Sequence, residues 1–301
     1  MSEKLVSVVI PSYNYVNYLP QAVASVAGQT YQNIELVIVD DASTDDSVDV
    51  IEPLAVEHSQ RFSGTKVIYN SRNMGAYATI NAGIRNAEGE YVAVLNADDL
   101  YQPNRIETML RAMDGAQFAF SRVQCIDAEG NRLEDEQARR FEAVQGKIAG
   151  DKPFMALAAV AENVAISTGN MLFTKQLFNQ IGGFRNYQYV HDYDFLLRAC
   201  LLTEPVFAAD TAYLYRLHGE NSFTKLAKEG LRENRMVWLD FYGRVRRGDV
   251  RNPQITKHGD YRALFAQAVA AEGSKKETLW KLSKNPLVRA GVSLMKKRYR
   301  V

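Results

Sequence analysis

The first third of the chain alternates between short apolar runs and longer amphipathic segments. The apolar runs are rich in Val and Ile and predict buried strands over residues 6–10, 35–40, 66–70 and 91–95. The segments between them predict helices over residues 18–29, 45–57 and 76–86. Strands that alternate with helices are typical of βαβ units, so we expect an α/β fold with a parallel sheet and right-handed crossovers.

The remainder of the chain is less regular. It predicts helices over residues 103–113 and 193–202, a strand over 117–123 and a polar loop over 127–145. An apolar stretch over 163–174 is interrupted by Ser167-Thr168-Gly169-Asn170, which predicts a surface-facing site. After His218 the composition becomes helical and basic up to the end of the chain.

Composition limits the possible functions. The chain has 301 residues and is 47% hydrophobic, enough for two domains or one large α/β unit. The 36 Lys and Arg residues nearly cancel the 35 Asp and Glu residues, which argues against a nucleic-acid-binding protein. Cys125 and Cys200 have no metal-type spacing, and residues 1–5 show no signal-peptide pattern. We therefore expect a cytoplasmic protein with reduced thiols and at most peripheral membrane contact.

Charge is unevenly distributed along the chain, and the last 21 residues are strongly basic. Residues 281–301 contain seven basic and no acidic side chains, mixed with apolar ones. Such a segment can lie on an anionic membrane leaflet. The alternative is a solvated terminal helix that packs on the domain or forms a subunit contact in a homo-oligomer.

Polar residues follow three of the predicted strands: Pro11-Ser12-Tyr13-Asn14, Asp40-Asp41-Ala42-Ser43 and Asn96-Ala97-Asp98-Asp99. Ligands of parallel sheets bind at the carboxyl edge, where these residues should meet. Two adjacent buried and unpaired carboxylates would cost several kcal/mol each, roughly, so Asp98 and Asp99 should face solvent or a cation. Hard oxygen ligands suit Mg²⁺ or Mn²⁺ bridging a diphosphate. The alternative is a turn in which Asp98 or Asp99 caps a helix.

Several common phosphate-binding and hydrolytic motifs are absent. The sequence contains no GxGxxG after the first strand, no GxxxxGK[ST] and no GxSxG. An enzyme that binds phosphate without glycine-rich loops must neutralise the diphosphate by other means. A metal held by carboxylates is the remaining option.

The motifs that the sequence does contain together resemble those of the inverting, family-2 glycosyltransferases with the GT-A fold. The resemblance covers about Val6 to Ser222. It rests on the opening strand with its loop to Asn14, on residues 36–45, and on the approach to the metal motif at residues 73–75, 81–83 and 87–91. Further matches are Asn96-Ala-Asp-Asp99, Thr168-Gly-Asn170, Ile181-Gly-Gly-Phe184, His191-Asp-Tyr-Asp194 and Arg216-Leu-His218.

The resemblance implies a Rossmann-like α/β fold with a mostly parallel central sheet flanked by helices and a helical C-terminal extension. It implies a nucleotide-sugar-binding half over residues 1–100, an acceptor-binding and catalytic half over 101–222, and the extension over 223–301. The implied donor contacts are Pro11, Ser12, Tyr13, Asn14, Asp41, Asn73, Gly75, Asn96 and Ala97. The implied acceptor-side residues are Gly169, Asn170 and His191, and the implied metal ligands for Mn²⁺ or Mg²⁺ are Asp98, Asp99 and His218.

Three positions depart from the family's pattern. Asn96 replaces the first acid of the metal motif, so metal binding should rest on Asp98, with Asp99 second. His191 stands where a Glu usually precedes the catalytic Asp, and Ile80 stands where an Arg is common. The essential carboxylates remain, so these departures concern the substrate rather than the activity.

The implied reaction transfers a sugar from a nucleoside diphosphate donor, UDP- or dTDP-linked, to a glycan or lipid-linked acceptor in envelope polysaccharide synthesis. A cation at Asp98 would stabilise the departing diphosphate, and Asp192 would act as general base for the acceptor hydroxyl. One base without a protein nucleophile implies single displacement with inversion. A non-catalytic nucleotide-sugar-binding or assembly module is the alternative of a different class.

Individual residues keep open alternatives. Asp192 can instead be a helix N-cap, and Asp194 is the second candidate for the base. His218 can be a loop histidine whose hydrogen bonds are satisfied within the protein. Tyr13 can pack against the protein rather than stack on the base of the nucleotide. The sugar and acceptor contacts should come from the loops over residues 128–151 and 187–190, which carry no known motif.

Overall fold

The computed structural model describes residues 4–148, 152–218 and 227–298. The motif residues 219–222, the predicted boundary at residue 222, residues 149–151 of one predicted loop and the last three residues of the basic tail lie outside these ranges.

One sheet organises the described part of the chain. Its eight strands are β1 (Val6–Ser12), β2 (Ile34–Asp40), β3 (Gly64–Tyr69), β4 (Tyr91–Val94), β5 (Leu100–Tyr101), β6 (Phe118–Ile126), β7 (Met171–Thr174) and β8 (Val206–Arg216). They lie in the order β3-β2-β1-β4-β7-β6-β8-β5. Four of the seven strand pairs are parallel, namely β1 with β2, β1 with β4, β2 with β3 and β6 with β8. The predicted α/β class with a mostly parallel sheet is confirmed.

Thirteen α-helices occur in the described residues. They are α1 (Leu19–Ala27), α2 (Ser47–Glu57), α3 (Ala76–Asn86), α4 (Arg105–Met113), α5 (Glu136–Glu142), α6 (Ala156–Ala159), α7 (Lys175–Ile181), α8 (His191–Cys200), α9 (Ala227–Arg247), α10 (Pro253–Thr256), α11 (Tyr261–Ala271), α12 (Ser274–Leu282) and α13 (Pro286–Arg298). Two 3₁₀ helices span Ala143–Ile148 and Thr168–Asn170. The predicted helical C-terminal extension is therefore present as α9 to α13.

Strands β1 and β2 form because their apolar runs are buried on both faces. All seven residues of β2 are buried, as are six of the seven in β1. Continuous burial of this kind is typical of parallel strands covered by helices on both sides. Helix α3 lies so close to this sheet that a Cβ at Gly83 would stand 2.4 Å from Val9 Cγ1. The close packing holds α3 against β1 and β2 of the sheet.

Two predictions about local structure are wrong. The polar loop predicted over residues 127–145 contains helix α5 and the start of a 3₁₀ helix, because Ala138 is fully buried on one face of α5. The surface-facing site predicted at Ser167–Asn170 is buried, and Asn170 has no exposed surface. Its polar groups are instead satisfied by other parts of the protein, as described below.

The described residues form two compact units. Unit 1 comprises Met1–Glu142, Ser167–Gly183 and Val206–His218, and it contains all eight strands. Unit 2 comprises Ala143–Ile166, Phe184–Pro205 and Gly219–Val301, and it contains α8 and the C-terminal helices. The division of the chain at residues 100 and 222 stays a prediction from the sequence.

Candidate active site

The loops that follow β1 and β2 are bound to each other. Asn14 adopts a left-handed backbone with φ 59°, and its N–H donates to Ser43 Oγ at 2.9 Å. Its side-chain Oδ1 accepts the N–H of Thr44 at 2.7 Å. The N–H of Asp41 donates to the carbonyl of Ser12 at 2.8 Å. Two of the three polar strand ends therefore meet, as the sequence predicted.

The other donor candidates of the first loop differ in their exposure. Tyr13 is 40% exposed, so its ring is open to a ligand. Pro11 is half-buried, while Ser12 is buried and its Oγ has no hydrogen-bond partner among the described residues. A buried hydroxyl without a partner at a strand end is suited to receive a polar ligand group.

Asp41 organises the turn that leads into α3. Its carboxylate is buried and accepts hydrogen bonds from Asn70 Nδ2 at 2.7 Å and from the N–H groups of Met74 and Gly75, both at 2.8 Å. Gly75 has φ 84°, a conformation that favours glycine, and Asn73 Oδ1 lies 3.2 Å from its nitrogen. Asp41 thus places Asn73 and Gly75 at the carboxyl edge. The contact of Asp41 with the donor stays a prediction.

The third strand end pairs Asp98 with His218. Asp98 Oδ2 lies 3.0 Å from His218 Nε2, and both side chains are at most 10% exposed. The His218 ring lies 5.2 Å from the ring of Tyr18 and 6.3 Å from that of Tyr15. These aromatic residues follow β1, so His218 links the Asp98 turn to the first loop. Candidate donor and metal residues therefore share one edge of unit 1.

Asp99 is held by the protein more tightly than Asp98. Its carboxylate accepts hydrogen bonds from Asn96 Nδ2 at 3.0 Å, the hydroxyl of Tyr213 at 2.5 Å and the N–H of Arg216 at 2.7 Å. Burial, followed by the negative charge of Asp98, raises the pKa of Asp99 well above its ordinary value. Few of its lone pairs remain for a cation, so the geometry favours Asp98 as the stronger ligand.

The remaining residues of this turn support it. Asn96 also donates to Ser167 Oγ at 3.0 Å, and Ala97 is buried. The alternative that Asp98 or Asp99 caps a helix is wrong, because β5 follows them and the N-cap of α4 is Asn104.

Arg216 is a site residue whose structural role the sequence did not reveal. It is fully buried, and its Nε donates to the carbonyl of Asp98 at 2.6 Å. One terminal nitrogen donates to the carbonyls of Asp127 and Ala128, and the other donates to Gln21 Oε1 at 2.8 Å. A charged residue at the end of an apolar strand was the available signal. The carbonyl groups that it binds belong to residues distant in the sequence, so only the folded structure identifies them.

The spacing within the Asp98–His218 pair suits a divalent cation. Adjacent ligands of an octahedral Mg²⁺ or Mn²⁺ stand about 3 Å apart when each bond is about 2.1 Å long. The 3.0 Å separation of Asp98 Oδ2 and His218 Nε2 matches this spacing. Within the described ranges no group of three or more His, Cys, Asp or Glu side chains is arranged to hold a metal. Asp98 and His218 would be the protein ligands of such a cation, and a bound diphosphate and water would supply the others.

The two acceptor-side candidates of unit 1 have structural contacts. A Cβ at Gly169 would stand 1.8 Å from the Tyr213 hydroxyl, so only glycine fits there. Asn170 Oδ1 accepts from Arg105 at 3.0 Å and from the N–H and hydroxyl of Ser121 at 3.0 and 2.8 Å. These residues hold β6, β7 and α4 together behind the Asp99 turn, and their contact with an acceptor stays a prediction.

Asp192 lies in the first turn of α8, in unit 2. Its carboxylate accepts hydrogen bonds from Asn163 Nδ2 and from the N–H of Tyr193, both at 2.7 Å. Burial raises the pKa of Asp192, although the neighbouring His191 and these hydrogen bonds oppose the rise. The N-cap of α8 is Val190, so the alternative that Asp192 caps the helix is wrong.

His191 and Asp194 lie in the same turn as Asp192 and differ from it in their contacts. The His191 ring is half-buried, lies 6.3 Å from the Phe184 ring and has no described hydrogen bond at its buried Nδ1. Asp194 is buried in ion pairs with Arg185 at 3.0 Å and Arg198 at 2.6 Å. Both oxygens of the Asp194 carboxylate are engaged by guanidinium groups, so they are not free to contact an acceptor hydroxyl, which favours Asp192 over Asp194 as the base.

Comparison with known proteins identifies the family of this chain. Residues 7–185 match the family model described as glycosyl transferase family 2. Glycosyltransferase GlyG of Streptococcus pneumoniae is 31% identical over 227 residues, which cover 72% of this chain and 71% of that protein.

Solved structures of GT-A glycosyltransferases share the fold. TarS of S. aureus, residues 1–349, in complex with UDP has a TM-score of 0.58 at 18% identity and covers 93% of this chain and 86% of its own. Mannosyltransferase PcManGT of Pyrobaculum calidifontis, in complex with GDP-Man and Mn²⁺, has a TM-score of 0.57 at 17% identity, covering 97% and 84%. The predicted GT-A fold is confirmed.

Proposed function

The chain belongs to glycosyl transferase family 2, and from this premise we propose that it is a metal-dependent, inverting glycosyltransferase. The donor is a nucleoside diphosphate sugar, UDP- or dTDP-linked, and the acceptor is a hydroxyl of a glycan or lipid-linked intermediate in envelope polysaccharide synthesis. The observation that best supports this proposal is the convergence of the Asn14, Asp41 and Asp98–His218 groups at one sheet edge.

Donor binding follows from that edge. Tyr13 offers an exposed ring to the base of the nucleotide, and Ser12 offers an unpartnered hydroxyl. Asp98 and His218 would hold Mn²⁺ or Mg²⁺, which supplies positive charge to the diphosphate as its negative charge develops. Asp99 and Arg216 keep the Asp98 backbone in place through the bonds described above.

Transfer requires a base for the acceptor. The acceptor hydroxyl gives its proton to the Asp192 carboxylate while its oxygen forms a bond to the anomeric carbon. The bond from that carbon to the diphosphate oxygen breaks at the same time, and its electron pair leaves with the diphosphate. No protein nucleophile takes part, so the configuration at the anomeric carbon inverts. The raised pKa of Asp192 makes it a stronger base than an exposed carboxylate.

The test is nucleoside diphosphate release from a panel of donors, measured with Mn²⁺ and with acceptor mixtures. We expect release to depend on one donor class, on an acceptor and on the divalent ion. A thermal-shift screen identifies the donor first, because a ligand at a hundred times its Kd adds about 2.7 kcal/mol to the free energy of unfolding. Donor binding without turnover with any acceptor would favour a nucleotide-sugar-binding or assembly module instead.

We also propose that the C-terminal helix α13 contacts an anionic membrane surface. Leu287 is 80% exposed and Leu294 is 66% exposed, and their seven-residue spacing places both on one face of the helix. Val292 faces the other way and is buried. In the described part of the chain no helix is long and apolar enough to cross a membrane. Exposed leucines in a segment whose sequence over residues 281–301 is basic suit peripheral binding.

Co-sedimentation with vesicles tests this surface. We expect the full chain to pellet with phosphatidylglycerol vesicles and not with neutral phosphatidylcholine vesicles. The double variant Leu287→Gln, Leu294→Gln should bind at least about 100-fold more weakly, because each buried leucine contributes about 1.5–3 kcal/mol and about 1.4 kcal/mol corresponds to a factor of ten. Leu231→Gln is the matched control, since Leu231 is 68% exposed on α9. Wild-type protein that stays in the supernatant with anionic vesicles would rule out the membrane role and leave a terminal helix that packs on the domain or forms a subunit contact.

A further inference from the structure

The segment just before α8 is held by one carboxylate from the C-terminal extension. Glu233 on α9 accepts hydrogen bonds from the N–H groups of Gln188 at 3.0 Å, Tyr189 at 2.9 Å and Val190 at 3.3 Å. Its side chain is buried, with 4% of the residue exposed. A carboxylate has acceptor lone pairs on two oxygens and no donor, so it can satisfy three N–H groups at once.

These N–H groups lead directly into the turn that carries Asp192. Val190 is the N-cap of α8, and its carbonyl accepts the N–H of Asp194 at 2.9 Å in the first helical hydrogen bond. The backbone of Val190 is thus fixed on both sides, by Glu233 at the N–H and by the helix at the carbonyl. Asp192 lies inside that first turn, so the orientation of its side chain depends on where the helix starts.

Close packing strengthens the same connection. Gly230 lies three residues before Glu233 on α9, and a Cβ there would stand 2.6 Å from Cδ1 of Tyr189. The Tyr189 ring therefore rests against the backbone of α9, which only a glycine permits. Two independent contacts, one electrostatic and one steric, join α9 to residues 188–190 within unit 2.

We propose that Glu233 is a positioning residue for transfer, which holds the backbone of Gln188–Val190 so that α8 presents Asp192 in a single orientation. This proposal rests on the proposed role of Asp192 as the base. It gives Glu233 a positioning role although the motifs of the family end before helix α9. A positioning residue of this kind should act on the chemical step and not on the binding of the donor.

The experiment compares Glu233→Ala, Glu233→Gln and the control Glu229→Ala in the full chain, measuring kcat, KM and donor Kd. Displacement of a reacting group by about 1 Å can cost about 100-fold in rate, so kcat of Glu233→Ala should fall by about that factor. Glu233→Gln keeps one acceptor oxygen, so its kcat should lie between those of Glu233→Ala and the wild type. Glu229 is exposed on the same helix, and its variant should match the wild type. Donor Kd should stay unchanged in all three.

Hydrogen exchange of the backbone amides separates this proposal from the proposed function. In both Glu233 variants the amides of Gln188, Tyr189 and Val190 should exchange faster, while those of β1 and β2 should not change. Faster exchange with kcat within twofold of the wild type would overturn the positioning role, as would unchanged exchange. If Asp192→Asn keeps full activity, the base assignment fails, and the exchange data still report whether Glu233 holds the segment. If Glu233→Ala does not fold, Glu233→Gln decides by the same two measurements.

Discussion

Asp192→Asn should lower sugar transfer by about 10²–10⁴-fold, the usual contribution of a positioned general base. Asparagine has nearly the shape of aspartate, so the amide oxygen can still accept the hydrogen bonds from Asn163 or Tyr193 that hold the side chain. The fold and the donor Kd should therefore stay close to those of the wild type. The measurement is kcat with saturating donor and acceptor, together with donor Kd by thermal shift.

The pH dependence of the wild type gives a second measurement of the same residue. A general base must be ionised, so kcat should fall as the pH falls through the pKa of Asp192. Burial raises this pKa above the ordinary 3.8, so the loss of rate should begin at a higher pH than an exposed aspartate would give. The acid limb should disappear in Asp192→Asn. Near-wild-type turnover in this variant, with Asp194→Asn folded and inactive, would move the base to Asp194.

The parallel half of the fold could be predicted because its signal is local. Strands β1, β2 and β4 are nearly continuous apolar runs, and helix α3 occupies the predicted residues Ala76–Asn86. Burial on both faces leaves a clear pattern in the sequence. The polar residues at the strand ends followed from the same pattern, since parallel strands deliver their carboxyl ends to one edge.

The sequence could not predict where long-range polar contacts place a residue. Strand β8 was not predicted because Asp210 and Thr211 interrupt its apolar pattern and the charged Arg216 ends it. Arg216 is nevertheless buried, because carbonyl groups of residues about ninety and about 120 positions away accept its hydrogen bonds. Asn170 is buried for the same reason, through Ser121 and Arg105. The polarity of a side chain alone predicts that it is exposed. It can be buried when residues distant in the sequence satisfy its hydrogen bonds, and the sequence does not show those partners.

The C-terminal extension shows the same limit. Its helical and basic character could be predicted, whereas Glu233 gave no signal that it binds the backbone before α8. Lys276 likewise donates to the carbonyls of Val160 and Ala161, which ties α12 to the segment after α6. In both contacts a charged side chain binds backbone N–H or carbonyl groups, which nearly every residue carries. No motif marks the backbone partner of such a pair.

Asp98→Ala should abolish the part of donor affinity that depends on a divalent ion. Loss of a residue that only supports a metal ligand typically costs 10–100-fold in affinity, so loss of a ligand itself should weaken donor binding by about 100-fold or more. The Kd of the variant with Mn²⁺ should equal that of the wild type in EDTA. Asp99→Ala should weaken donor binding less, because Asp99 is held by Asn96, Tyr213 and Arg216.

The control for this comparison is Asp210→Ala, which removes an exposed carboxylate from the middle of β8. Its donor Kd and EDTA response should match those of the wild type, since it lies away from the carboxylate–imidazole pair. Equal donor affinity of the wild type with and without EDTA would contradict metal binding at Asp98. In that case the 3.0 Å contact between Asp98 and His218 would be an ion pair or hydrogen bond that shapes the turn, and the positive charge for the diphosphate would have to come from the protein itself.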